Sequence, residues 1–169
     1  MKIITHNSNN LNMKDINNIV KRAKAIIVND KDEILLAKTD RAMFLPGGHV
    51  DEGETYDECL IREIEEETGV KLKKLEKKEI INIEYYSKDY PKKGTNSYYL
   101  SKYFVIKLNL KPNYNKLKLT EEEKQYNFKV IYVPREKVLN LLYNELNSDK
   151  SFGSVLDTID AIKEYLKQE

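Results

Sequence analysis

The stretch that decides the fold runs from Gly48 to Val70 and reads GHVDEGETYDECLIREIEEETGV. Its second half predicts a helix over residues 56–68. Thr55 precedes that helix and Glu58 follows three positions later, which is the spacing of a capping box. Gly69 comes directly after the last helical position, where glycine commonly ends a helix. The segment therefore predicts a loop that leads into a well-capped helix.

The predicted helix carries a row of three carboxylates. Glu63, Glu66 and Glu67 stand at positions i, i+3 and i+4, so their side chains share one face. That face borders the apolar stripe of Leu60 and Ile64, and we expect Glu66 and Glu67 to remain at the protein surface. Like charges held this close repel each other, and a divalent cation would offset the repulsion. The row is therefore either a solvated acidic face or a site for Mg²⁺, Ca²⁺ or Mn²⁺, the cations that select oxygen ligands.

Residues near the row favour a ligand site. Arg62 can offset part of the repulsion by pairing with Glu66 at i+4 and with Glu58 at i−4. Glu54 lies just before the predicted helix, where a carboxylate interacts favourably with the helix dipole. Gly48 has no side chain and lets the backbone approach a ligand closely. The fixed register of these residues and the helix acids indicates a metal-binding loop and helix.

This stretch resembles the Nudix box, written Gly-x5-Glu-x7-Arg-Glu-U-x-Glu-Glu-x-Gly-U, in which U is a bulky aliphatic residue. The residues that match it, at every defined position, are Gly48, Glu54, Arg62, Glu63, Ile64, Glu66, Glu67, Gly69 and Val70. The box spans 23 of the 169 residues, and the predicted order of strands is compatible with the Nudix fold over most of the chain. The resemblance implies an α/β fold, a Nudix-type α/β/α sandwich with a mixed β-sheet.

The resemblance also implies a Mg²⁺- or Mn²⁺-dependent hydrolase in which water attacks a phosphorus atom of a pyrophosphate bond. The implied metal ligands are the Gly48 carbonyl and the carboxylates of Glu54, Glu63, Glu66 and Glu67. The implied catalytic residues are Glu63, Arg62 and Glu66, with Arg62 orienting the carboxylates.

The general base has two candidates. Glu63 in the box is the first. In some family members the base lies on a distal loop instead, and three consecutive acids could supply it here: Glu121, Glu122 and Glu123. Because Thr120 precedes them, these acids also fit an ordinary capped helical turn.

The resemblance does not identify the substrate. It implies a nucleoside diphosphate linked to another moiety, as in a nucleoside triphosphate, a dinucleoside polyphosphate or a nucleotide sugar. The Ser-Gln-Pro-Trp run that follows the box in NADH-hydrolysing members is absent. The alternative function is a catalytically silent nucleotide-binding sensor on a Nudix fold. Such modules usually lose box carboxylates, and this sequence retains all of them.

The rest of the chain predicts strands on both sides of the box helix and helices towards the C-terminus. Predicted strands cover residues 20–28, 33–37, 80–86, 98–108 and 128–133, with a polar turn at 29–32. Amphipathic helices are predicted near 135–146 and 153–168. Residues 1–18 predict a short N-terminal strand or a loosely attached arm. Because the sequence shows no internal repeat and no Gly/Ser-rich linker, we expect residues 1–169 to form a single domain.

The composition is that of a globular protein. Lysine and arginine total 29 against 28 acids, a net charge of +1, so the basic excess of a nucleic-acid-binding domain is missing and no stable nucleic-acid complex is expected. The sequence shows neither a signal peptide nor an apolar run of membrane-spanning length, which predicts a cytoplasmic protein without membrane contact. The single cysteine suits a reducing compartment. We expect a monomer or a homodimer that binds a small nucleotide-type molecule.

For several residues outside the defined box positions, the sequence supports an interpretation but does not assign a function. Cys59 is interpreted as a buried thiol rather than a nucleophile, and His6 as incidental. His49 either contacts a phosphate or has no role. One or two members of a group of six tyrosines are expected to line the substrate pocket, and the others to pack in the sheet: Tyr85, Tyr86, Tyr90, Tyr98, Tyr99 and Tyr103. Three lysines either meet a phosphate chain or are solvated: Lys88, Lys92 and Lys93.

Overall fold

A computed structural model describes residues 1–147 and 152–168. The strands in these residues are β1 (Lys2–His6), β2 (Asn18–Val28), β3 (Glu33–Lys38), β4 (Met43–Phe44), β5 (Lys78–Ser87), β6 (Ser97–Lys107) and β7 (Lys129–Pro134). The α-helices are α1 (Tyr56–Thr68), α2 (Glu121–Gln125), α3 (Arg135–Leu146) and α4 (Phe152–Lys167). Within the described residues, no helix is long and apolar enough to cross a membrane.

The strands form one mixed sheet. Its order is β1-β5-β6-β2-β3, and both β4 and β7 pair with β3. The β1–β5 and β2–β6 pairs are parallel, and the other pairs are antiparallel. Helix α1 packs against β2, whereas α3 and α4 pack against each other and against the sheet. This arrangement confirms the predicted α/β sandwich with a mixed sheet.

The side chains of β2 alternate between two hydrophobic cores because successive strand residues point to opposite faces of a sheet. Ala23, Ala25 and Ile27 join the core that contains the apolar stripe of α1. Ile26 and Val28 join the core formed with α3 and α4. Strand β2 therefore lies between the two layers of helices. Its polar side chains can reach solvent or a ligand only where these helices leave the sheet uncovered.

Local hydrogen bonds set the ends of α1 as the sequence predicts. The Thr55 hydroxyl accepts from the Glu58 backbone N–H at 3.2 Å, and the Glu58 carboxylate accepts from the Thr55 backbone N–H at 2.8 Å. Gly69 ends the helix in the left-handed conformation, with φ of 71°. Because Glu58 is engaged in this cap, it does not form the i−4 pair with Arg62 that the sequence suggested.

The predicted elements agree closely with the observed ones. Helix α3 has the predicted bounds, α4 begins and ends one residue before its predicted bounds, and the polar turn at 29–32 joins β2 to β3. Strand β2 begins two residues earlier than predicted, at Asn18. In the N-terminal segment a strand forms, and β1 pairs in parallel with β5 at one edge of the sheet.

Candidate active site

A backbone segment at residues 46–48 forms the floor of the site by running alongside β2. The Ala25 N–H donates to the Pro46 carbonyl at 2.9 Å, and the Ala23 N–H donates to the Gly48 carbonyl at 3.0 Å. Gly47 has a φ of +116°, and a side chain there would collide with the Ala23 carbonyl. Both the conformation and the close approach therefore require glycine at position 47.

Arg62 gathers the predicted acids. Its Nε and Nη2 atoms donate to the two carboxylate oxygens of Glu54 at 2.8 and 2.9 Å. Its Nη1 atom donates to Glu63 at 2.7 Å and to Glu66 at 3.3 Å, and Nη2 also donates to the His49 carbonyl at 2.8 Å. The hydrogen bond to Glu54 is the main reason that the pKa of Arg62 is raised and the pKa of Glu54 lowered. Arg62 thus fixes three of the predicted acids at one place.

Glu67 is buried rather than at the surface, which corrects one expectation from the sequence. It is 3% exposed, and its carboxylate accepts from the Gly47 backbone N–H at 3.0 Å. The ammonium group of Lys24 on β2 donates to the carbonyl of the same glycine. Burial raises the pKa of Glu67 and lowers that of Lys24, and the opposite charge of each opposes the shift of the other. Glu66, with a side chain 34% exposed, does border the surface as expected.

Sequence reasoning did not select Lys24 as a site residue. The available signal was its position in β2, where a cation stands between Ala23 and Ala25 in a strand that is otherwise apolar from residue 23 onwards. A buried lysine requires a nearby anion or hydrogen-bond acceptors. Lys24 has the Gly47 carbonyl and lies near the charges of Glu67 and Glu63.

The acids line one part of a cavity of about 850 Å³. We call that part the acidic end; it contains Gly47, Gly48, Glu63, Glu66 and Glu67. The second part, the tyrosine end, lies on β5, β6 and α4 and contains Tyr85, Tyr99, Ser101, Tyr103, Asp157 and Thr158. Arg22 and Lys24 of β2 also line the cavity. Because β6 lies between β5 and β2, the backbones of β5 and β2 are about 10 Å apart. Arg22 contacts the tyrosine end directly, with its guanidinium carbon 5.7 Å from the centroid of the Tyr99 ring.

The carboxylates at the acidic end have the chemistry that a hard divalent cation prefers, but their oxygens do not converge on a common metal position. Among the described residues, no three Asp, Glu, His or Cys side chains converge as a metal-binding group, because Arg62 draws Glu54, Glu63 and Glu66 towards itself. Carboxylate and carbonyl oxygens are nevertheless the donors that Mg²⁺ and Mn²⁺ prefer. Gly48 supports the fit, since a Cβ atom there would occupy the space that the Glu63 carboxylate takes.

The NUDIX domain family model matches residues 20–152 of this chain. The chain belongs to the Nudix family. Its fold is similar to that of the dihydroneopterin triphosphate pyrophosphohydrolase of E. coli, with a TM-score of 0.59 and 13% identity over 88% of this chain and 96% of that one. It is also similar to the MutT protein of Bacillus halodurans, with a TM-score of 0.53 and 23% identity over 72% of each chain. At these identities the likeness shows the fold alone.

A curated relative matches over a shorter stretch. The NAD-capped RNA hydrolase NudC of Pseudomonas aeruginosa is 40% identical to this Nudix chain over 57 residues. That alignment covers 30% of this chain and 20% of NudC. The chain therefore spans about a fifth of this relative.

The three distal acids of this Nudix domain are not equivalent. They form the first turn of α2, and Thr120 caps that helix as the sequence suggested, its hydroxyl accepting from the Glu123 N–H at 3.2 Å. Glu121 is exposed and pairs with Lys124, and Glu122 is also exposed. Glu123 lines the cavity, and its carboxylate accepts from the Thr120 N–H at 2.7 Å. Only Glu123 of the three therefore faces the cavity.

Cys59 and His49 lie beside the acidic end. Cys59 is fully buried, as predicted, and its thiol donates to the His49 carbonyl at 3.2 Å. Burial raises the pKa of Cys59 to about 12, so the thiol stays protonated and is a poor nucleophile. The His49 ring lines the cavity 3.4 Å from the Nε atom of Arg22, and burial together with that cation lowers the pKa of His49.

More tyrosines line the cavity than the sequence suggested. Four of the six do so: Tyr85, Tyr90, Tyr99 and Tyr103. Tyr86 and Tyr98 instead pack against each other with ring centroids 4.9 Å apart and do not line it. The lysines at 88, 92 and 93 are also absent from the cavity walls. His6, interpreted as incidental, stacks on Tyr85 with ring centroids 4.4 Å apart and an angle of 13° between the rings.

Proposed function

We propose that this Nudix domain is a Mg²⁺- or Mn²⁺-dependent pyrophosphohydrolase. Its substrate is a nucleoside diphosphate linked to another moiety, namely a nucleoside triphosphate, a dinucleoside polyphosphate or a nucleotide sugar. The observation that carries this proposal is the arrangement of the box acids beside a cavity large enough for a nucleotide, where Arg62 binds Glu54, Glu63 and Glu66 and the Gly47 N–H binds Glu67.

We assign the metal to the acidic end. The proposed ligands are the Gly48 carbonyl and the carboxylates of Glu54, Glu63, Glu66 and Glu67. When bound, the cation supplies positive charge against the oxygens of the phosphate chain. Glu63 and Glu66, which Arg62 holds in the structure, would have to turn away from it to bind such a cation.

The cations of the chain then position the phosphate groups. Arg22 and Lys24 line the cavity between the two ends, where a polyphosphate would lie. Arg62 retains its two hydrogen bonds to Glu54 and so keeps the loop and the helix in register. Glu63 is the proposed general base, which takes a proton from the water that attacks phosphorus. The preorganised positive charges of Arg22 and Lys24 stabilise the negative charge that develops during phosphoryl transfer.

A catalytically silent sensor is the second candidate function. A sensor needs the tyrosine end and the cations but not the carboxylates, and every box carboxylate is present here. NudC, as its name states, acts on NAD-capped RNA. We propose a small nucleotide-type substrate rather than a stable nucleic-acid complex, because the net charge is only +1.

A substrate panel tests the proposed function. A nucleoside triphosphate, a dinucleoside polyphosphate and a nucleotide sugar are incubated with the protein and Mg²⁺, and the products are separated by phosphate-sensitive chromatography. We expect metal-dependent cleavage of at least one pyrophosphate bond by the wild type and almost none by Glu63→Gln. Binding without turnover in all three classes would favour the sensor.

Substitutions at two neighbouring glycines distinguish a loss of activity from a loss of stability. Gly48→Ala pushes the Glu63 carboxylate aside, and we expect kcat/KM to fall about tenfold to a hundredfold. Because only the end of a flexible side chain must move, the free energy of unfolding should change little. Gly47→Ala is the matched control, since it meets backbone at a positive φ and should lower the free energy of unfolding by about 3 kcal/mol. Urea denaturation and steady-state kinetics measure the two effects, and equal losses of stability would contradict this account.

A further inference from the structure

Segments outside the residues matched by the family model help to form the tyrosine end of the cavity. The match covers residues 20–152, so β1 and almost all of α4 lie outside it. Both segments contact Tyr85 of β5. His6 of β1 stacks on its ring, and Asp157 of α4 accepts a hydrogen bond from its hydroxyl at 2.5 Å. This end of the cavity therefore depends on parts of the chain that the family pattern does not describe.

Asp157 lines the cavity with one acceptor site of its carboxylate occupied by the protein, and both oxygens keep at least one lone pair available. Tyr85 donates to Oδ1, and among the described residues no second donor reaches Oδ2 and no cation pairs with the carboxylate. The titratable and charged groups near enough to act on its charge are Tyr85, Tyr103, His6, Asp160 and Arg22, and burial raises the pKa of Asp157. The remaining acceptor sites of this half-buried carboxylate are accessible from the cavity, where a ligand with hydrogen-bond donors can reach them.

We propose that Asp157 is a specificity-determining residue that accepts hydrogen bonds from paired donors on the organic part of the substrate. This inference rests on the proposed function, which places the phosphate chain at the acidic end and next to Arg22 and Lys24. Asp157 hydrogen-bonds Tyr85 of β5, whose backbone lies two strand spacings, about 10 Å, from that of β2, and Arg22 lies beside Tyr99 of the intervening strand β6. With the phosphates held by Arg22 and Lys24, we place the organic part of the substrate at Asp157. Two adjacent donors are found on the N–H edge of guanine and on the 2′,3′-diol of ribose, and either can pair with a carboxylate.

His6 and Tyr85 are positioning residues in this arrangement. The stacked His6 ring holds the Tyr85 ring, whose hydroxyl in turn orients Asp157. The ion pair between Lys2 and Glu164, at 3.7 Å, also links β1 to α4. The N-terminal strand thereby contributes to recognition without lining the cavity itself.

Equilibrium binding of nucleoside monophosphates tests the proposal independently of hydrolysis. Guanosine, inosine, adenosine and 2′-deoxyguanosine 5′-monophosphates, which contain no pyrophosphate bond to cleave, are titrated by calorimetry in the presence of Mg²⁺ into the wild type, Asp157→Asn and Asp160→Asn. Asp160 is a matched control because it lies on the same helix and does not line the cavity. The wild type should prefer ligands with paired donors by about tenfold or more, as expected for hydrogen bonds to a charged group. Asp157→Asn should remove that preference, and Asp160→Asn should retain it.

The pattern of lost preference identifies the donor. If Asp157 binds the base, the variant loses the difference between the guanosine and adenosine ligands, and inosine is intermediate. If it binds the diol, the variant loses the difference between the guanosine and 2′-deoxyguanosine ligands. The proposal is overturned if the wild type binds none of the four or binds all equally, or if Asp157→Asn weakens all four by the same factor. Selective binding without turnover in the substrate panel would instead reject the proposed hydrolase and leave this inference standing.

Discussion

Replacing Glu63 with glutamine is expected to lower kcat by about 10³-fold or more, which corresponds to roughly 4 kcal/mol of activation free energy. Glu63 is assigned both a metal-binding and a proton-accepting role, and the amide can do neither well. Its carboxylate lies against Gly48 and bonds Arg62 at 2.7 Å, so no neighbouring acid can take its place without moving. Added metal should therefore not restore the rate.

Two sets of variants act as controls for Glu63→Gln. Glu65→Gln removes an acid of the same helix that pairs with Lys118 and does not line the cavity, and it should leave kcat nearly unchanged. Simultaneous replacement of Glu121, Glu122 and Glu123 by glutamine should cost less than tenfold, because two of the three are exposed. A large loss of kcat in the triple variant with metal affinity intact would move the base to Glu123, the member that faces the cavity.

Removal of divalent metal is expected to abolish turnover completely. Glu63, Glu66 and Glu67 are held on one face of α1, and Arg62 and Lys24 balance their charge only in part. Without a divalent cation, the phosphate oxygens of a substrate would meet these carboxylates directly and be repelled. After exhaustive treatment with EDTA, product formation should vanish, and added Mg²⁺ or Mn²⁺ should restore it. Circular dichroism before and after chelation provides the control for unfolding, and undiminished turnover in EDTA would contradict the metal assignment.

The parts of the fold that depend on local chemistry could be predicted from the sequence. The capping box at Thr55 and the left-handed Gly69 need only residues a few positions apart, and the structure contains both. The i, i+3, i+4 spacing likewise places Glu63, Glu66 and Glu67 on one face of α1. The strands follow from their composition and from the turns between them.

Contacts between residues distant in sequence could not be predicted in the same way. Helical periodicity gives the face of Glu67 but not what covers it, and the cover is the backbone at Gly47, twenty residues earlier. The choice of Arg62 between Glu58 and Glu54 depends on the cap at Thr55, which engages Glu58 first. The stacking of His6 on Tyr85 requires β1 to pair with β5, and no local pattern in the asparagine-rich N-terminus indicates that partner.

In the proposed reaction, this Nudix domain directs water to a phosphorus atom at the acidic end of the cavity. Hydrolysis in ¹⁸O-labelled water, with the products analysed by mass spectrometry, tests it most directly. We predict that one ¹⁸O atom enters a phosphate group of one product in the presence of Mg²⁺, and that incorporation disappears in EDTA and in Glu63→Gln. Cleavage with no label on phosphorus, or labelling that persists in both EDTA and Glu63→Gln, would contradict the account.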